Sequence, residues 1–145
     1  RNFTPDMQNI PEAVFQKMYR EDGFSQWLGI ENLVTETGFC KLKMQVRPEM
    51  LNGFGVAHGG IVYSLADSAF AFCCNSYNRI SLSIETSITH TKAIHKNDVL
   101  YAEAKLITQS NKIGTYEVIV QNQDGEIVGV FKGICYRTEK NLITS

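Results

Sequence analysis

The order of periodicities along the chain predicts an α+β fold, with an antiparallel sheet wrapped around one long central helix and a further helix at the N-terminus. Three observations carry this. Residues 11–22 repeat with the helical period, and residues 61–75 are apolar almost all round. The segments before and after that apolar run alternate with a period of two.

Pro11 suits a first helical position, and Val14, Phe15, Met18 and Tyr19 share one face of the opening helix. Gly23 ends it. A short turn, Phe24 to Leu28, follows and is expected to pack Trp27 and Leu28 inward. From Ile30 the period changes to two. Leu42, Met44 and Val46 alternate with Lys41, Lys43 and Gln45, so one strand is read here, stopped by Pro48. Residues 49–60 read as a glycine-rich loop.

The run from Ile61 to Asn75 lacks a full polar face, so it predicts a buried helix needing cover on every side. Four strands are expected after it. In the first, Leu82, Ile84 and Ile88 point inward. In the next two, Ala102, Ala104 and Leu106, then Tyr116, Val118 and Val120, do so. Residues 126–137 make the last strand. Turn signals at 96–98, 110–112 and Asp124-Gly125 separate them and predict an antiparallel meander. A lone curved sheet leaves its edges open, so a second copy is expected to pair with one.

The 145 residues fit one domain, 1–145, with 1–29 as an N-terminal helical segment and 30–138 as the core. The net charge of −1 supplies no field for nucleic acid. No apolar run is long enough to span a bilayer, and no signal-peptide pattern opens the sequence. The cysteines, Cys40, Cys73, Cys74 and Cys135, show no CxxC spacing. Four reduced, buried thiols in a cytoplasmic protein, with no metal site, are expected.

The chemistry concentrates in Asn52-Gly53-Phe54-Gly55-Val56-Ala57-His58-Gly59-Gly60 and the helix after it. Asp67 has apolar neighbours along that helix. Such a carboxylate must be paired or open to a cleft. It is either a catalytic acid or a buried Asp tying the helix to a strand. Gly59 and Gly60 form a tight turn into the helix, where the first backbone N–H groups lack partners and the dipole favours negative charge. Asp67 lies eight residues beyond Gly59, about 12 Å along a regular helix. Either the helix is distorted, or the two groups of one site come from different chains.

Asn-Gly-x-x-x-x-His-Gly-Gly, followed by Leu65-Ala66-Asp67-Ser68-Ala69-Phe70-Ala71 and Cys74-Asn75-Ser76, resembles the phenylacetate-pathway (PaaI-type) hotdog thioesterases. The resemblance runs from Leu28 to Arg137. It implies the hotdog fold and hydrolysis of an acyl-CoA, with an aromatic acyl group such as phenylacetyl or hydroxyphenylacetyl, or else a medium-chain one. It implies that Asp67 attacks the thioester or activates water, that the Gly59 N–H polarises the carbonyl, and that Asn52 and His58 support the site. A homodimer is then the minimal active unit, with a homotetramer as the family tendency, and each site takes its Asp from the partner. No cofactor is implied, because CoA is part of the substrate.

Gly60, Ser68, Phe54 and Lys92 are the candidate substrate contacts. Each has an ordinary alternative. Ser68 can bond its own helix backbone, and His58 can fix the loop through its ring. Phe54 and Ala57 occupy variable positions of the motif. Lys96, Lys112 and Arg137 are weaker candidates for the CoA phosphates, and His90 and His95 read as ordinary surface or edge residues. Thr91-Lys92-Ala93 departs from the Arg-Pro common in similar proteins. Two rivals share the fold: a hydratase or dehydratase pairing the acid with a catalytic His, and a non-catalytic acyl-CoA binder.

Overall fold

A computed structural model of the chain describes residues 9–144. Helix α1 spans Ile10–Glu21 and α2 spans Gly23–Leu28. The strands are β1 (Glu31–Glu36), β2 (Phe39–Gln45), β3 (Ser81–His90), β4 (Val99–Gln109), β5 (Ile113–Gln121) and β6 (Ile127–Arg137). Helix α3, Gly59–Cys74, lies between β2 and β3 in the chain. The six strands form one antiparallel sheet in the order β1-β2-β4-β5-β6-β3. It wraps α3, whose Leu65, Ala66, Ala69, Phe70, Phe72 and Cys73 are buried against it.

Sequence and structure differ in several places, each for a physical reason. Residues 31–45 are a hairpin and not one strand. The chain reverses at Thr37-Gly38, where Gly38 takes φ +75°, a conformation that favours glycine. The meander includes only β4, β5 and β6. Strand β3 instead crosses to the far edge beside β6. That edge position follows from α3, which must pass along the sheet before the chain can return.

In β3, Leu82 and Ile84 are 57% and 58% exposed, not inward. The register with β6 slips between Ser83 and Glu85. One extra residue in a strand exchanges its faces, so Thr86 and Ile88 face the core while Leu82 faces out. Trp27 is likewise 47% exposed. Its indole lies under the Arg47 guanidinium, 5.0 Å from the ring centre, and Arg47 also donates to the carbonyls of Trp27 and Leu28. An indole carried on a cation can stay at the surface.

The cover of α3 is also incomplete. Tyr63, Ser64, Asp67, Ser68 and Ala71 are partly exposed and Gly60 is exposed. Their spacing of three and four places them on one stripe along the helix. All four cysteines are free and buried, and burial pushes the Cys40 thiol up to about 12. Among the described residues no helix is long and apolar enough to cross a membrane.

Candidate active site

The loop before α3 is built on Asn52. Its side-chain oxygen accepts from the N–H groups of Phe54 (2.9 Å) and Val56 (3.3 Å). Its own N–H donates to the Val56 carbonyl at 2.8 Å. Asn52 thereby closes a tight loop, as a short amide side chain does in a turn. Phe54 sits at the loop tip, 93% exposed. It lines neither of the clefts described below.

The Ala57 N–H then bonds the Ile94 carbonyl, and the His58 N–H bonds the Met50 carbonyl. These two bonds fix where α3 begins. His58 is the N-cap, and its Nδ1 accepts from the Gly60 N–H at 2.8 Å. The ring proton is thereby left on Nε2. The Ile61 N–H returns to the His58 carbonyl. Of the first amides of α3, that of Gly59 alone has no acceptor among the described residues. A free N–H at a helix start suits an oxygen that gains negative charge.

Two clefts flank this helix end. One, about 390 Å³, is lined by Gly59 together with Val56, Val62, His90, Lys92 and Ile94. The other, about 350 Å³, is lined by Gly60 and His58 with Phe24, Glu49, Met50, Leu51, Ile61 and Ser64. The first has Lys92 at its side, paired with Glu126. The second has an apolar wall in Phe24, Met50, Leu51 and Ile61.

Residues 54–128 match the thioesterase superfamily. The chain belongs to that superfamily. It is 38% identical to a putative esterase of Archaeoglobus fulgidus over 96% of this chain and 90% of that protein. It is 34% identical to the acyl-coenzyme A thioesterase PaaI of Escherichia coli over 83% of this chain and 86% of that protein. The solved structure of E. coli PaaI, from the phenylacetic acid degradation operon, superposes with a TM-score of 0.90 at 30% identity, covering 94% of this chain and 99% of that one. The fold is the hotdog fold, and this is a thioesterase of PaaI type.

The candidate acid that the sequence singled out, Asp67, lies on the open stripe of α3. Asp67 is half-buried, and its carboxylate accepts no hydrogen bond among the described residues. Burial alone raises its pKa above the ordinary carboxylate value. A partly buried carboxylate with no partner and a raised pKa is a candidate functional group.

Helix α3 runs unbroken from Gly59 to Cys74, so distortion does not bring Asp67 to Gly59. Within one chain the two remain about 12 Å apart along the axis and cannot act on one carbonyl.

Ser68 does not bond its own helix. Its Oγ lies 2.8 Å from that of Ser25, which donates to Asp22 at 2.6 Å. Ser25 has one hydroxyl proton, committed to Asp22, so Ser68 donates to Ser25. This chain of bonds, its middle member fully buried, ties α2 to the turn of α3 that carries Asp67. It also holds Phe24 beside the second cleft. The Phe24 ring is stacked on Trp27, with centroids 6.1 Å apart.

His90 and Phe24 line the clefts, a placement that no sequence pattern signalled. The last residue of β3 meets the first residue of α3 only through the crossover, and no local signal reports it. An ideal Cβ on Gly59 would lie 3.2 Å from Nε2 of His90. Of the other basic candidates, Lys96 and Lys112 are exposed and line neither cleft. Arg137 is buried, donates to the Ser110 carbonyl and lies over the Tyr77 ring. His95 sits in the turn before β4, with its N–H on the Asp98 carboxylate. Among the described residues no three His, Cys, Asp or Glu side chains group to hold a metal ion.

Proposed function

We propose that the chain hydrolyses an acyl-CoA thioester to the free acid and CoA, in a site shared by two copies. The observation that carries this is the uncommitted Gly59 N–H between two clefts, on a helix whose only acid is eight residues out of reach. The thioester oxygen accepts from Gly59. The CoA arm runs into the cleft beside Lys92, and the acyl group into the apolar cleft beside Phe24. Asp67 of the partner subunit removes a proton from water, or attacks the carbonyl carbon itself. Negative charge collects on the oxygen at Gly59, and the intermediate collapses by expelling the CoA thiolate; on the direct route this leaves an acyl–Asp67 anhydride, which water then opens to the free acid and the restored carboxylate. One turnover in isotopic water tests direct attack, since label enters the Asp67 carboxylate only by way of an anhydride that water opens at the Asp67 carbon.

The second copy joins through the open edge of β3, where Leu82 and Ile84 lie uncovered. A homotetramer built from two such dimers, a cytoplasmic setting and an aromatic acyl group of the phenylacetyl or hydroxyphenylacetyl type complete the proposal. The likeness to E. coli PaaI and the apolar wall of the second cleft support the acyl group. Asn52, whose side-chain NH2 is uncommitted, and the Nε2–H of His58 are available to hold water or the carbonyl. A thiol-release screen over aryl and alkyl CoA esters tests the reading. Release that Asp67→Asn abolishes supports it. Hydration of crotonyl-CoA with no thiol release would replace it with a hydratase, and ligand binding with neither reaction would leave a binder.

A further inference from the structure

We propose that His90, at the end of β3, is a second donor to the thioester oxygen and so a catalytic residue; this rests on the thioesterase reading above. The imidazole edge faces the first residue of α3, with Nε2 3.2 Å and Cε1 3.3 Å from the position a Gly59 Cβ would take. Turning the ring over exchanges these two atoms, so a nitrogen faces Gly59 in either orientation. Side-chain bonds of a helix tilt toward its N-terminus. The ring therefore occupies the same end of α3 as the free Gly59 N–H. An oxygen accepting from that amide at ordinary hydrogen-bond length comes within reach of the ring nitrogen.

Elimination supports the same residue. Three side chains lining this cleft carry donors: His90, Thr91 and Lys92. Thr91 donates to the Ile127 carbonyl at 2.8 Å, and Lys92 is paired with Glu126. His58, whose Nε2–H stays free, lines the other cleft and not this one. Of these three side chains, that of His90 alone has no hydrogen bond or ion pair among the described residues. Oxyanion sites gain most from two preorganised donors that meet at the oxygen. No proton need be transferred: the ring N–H stays on the nitrogen while charge grows on the oxygen and leaves with the thiolate.

The test compares His90→Phe, which keeps a ring without a donor, with His90→Gln, which keeps a donor without the ring. Thiol release gives kcat and KM for each, and melting curves confirm folding. His90→Phe is expected to lose about 10²-fold in kcat with KM little changed, and His90→Gln to recover most of that loss. Equal losses in the two variants, a loss confined to KM, or an unchanged His90→Phe would overturn the proposal. If the unaltered chain releases no thiol and Asp67→Asn behaves alike, the thioesterase reading itself fails and takes His90 with it. If the unaltered chain is active, Asp67→Asn is dead and His90→Phe is unaffected, only the role of His90 falls.

Discussion

Two inactive variants of this protein should restore each other. Asp67→Asn removes the acid. Gly59→Pro removes the one uncommitted amide at the start of α3. Proline fits there because Gly59 is the first helical residue, where no helix bond is lost, and because His58 before it is already extended at φ −60° and ψ 135°. A Cβ at this position would lie 3.2 Å from the His90 ring, which must give by a few tenths of an ångström.

Alone, Asp67→Asn should lose about 10²–10⁴ in kcat and Gly59→Pro about 10²–10³. Unfolded together in equal amounts and refolded, about half of the resulting two-fold dimers carry one chain of each kind. In such a dimer, one site joins the intact Gly59 of one chain to the intact Asp67 of its mate, and the other site has neither. Half of the dimers with half of their sites intact gives about a quarter of the unaltered rate. The assay is thiol release from an acyl-CoA that the unaltered chain hydrolyses. The separation of about 12 Å along an unbroken helix is what forbids the acid from serving its own glycine. If the mixture stays at the residual activity of its components, the acid and the amide act within one chain, and the shared site is refuted.

Three further outcomes follow from particular contacts. Asp67 has a raised pKa caused by burial, so the unfolded chain gives up this proton at lower pH than the folded one. Below the ordinary carboxylate value both states hold the proton and the group is neutral to stability. As pH rises through the folded value the ionised group becomes destabilising, so Asp67→Asn should raise the urea midpoint at neutral pH and not in acid. A midpoint that falls at neutral pH would contradict this. Ser25→Ala breaks both bonds of a fully buried hydroxyl and should lower stability by about 1–3 kcal/mol in urea unfolding; a change under about 0.5 kcal/mol, typical of surface substitutions, would show that the link is idle. Phe24→Ala should reduce kcat/KM for aryl esters by about tenfold or more while short alkyl esters change little, as expected for a lost pocket wall. Phe54→Ala serves as the comparison at an exposed site, and equal effects of the two would remove Phe24 from the acyl pocket.

What could be read from the sequence was what depends on neighbours in the chain. The buried helix was legible because apolar side chains crowd positions 61–75, and burial of that run leaves one solution, a sheet folded around it. Strands β4, β5 and β6 were legible because alternation over several residues admits only a half-buried strand. The start of α3 was legible to within two residues, read at Ile61 and found at Gly59, and unpaired amides near it followed from the fact that every helix begins with such N–H groups. The reach of Asp67 was legible too, since helical rise is fixed.

Other features depend on contacts between distant segments. The slip at Ile84 needs β6 alongside to define it, and it turns Leu82 out to the open edge. Trp27 stays at the surface because Arg47 comes over it from across the fold. The partner of Ser68 is supplied by α2, and Ser25, 43 residues away, could not be named without the packing of two helices. His90 reaches Gly59 because β3 runs back along the sheet edge to the start of α3. Local periodicity thus set the elements and the acid. The tertiary fold alone chose the side chains that gather at the start of α3, because a site gathers groups by distance in space and chain order carries no measure of it.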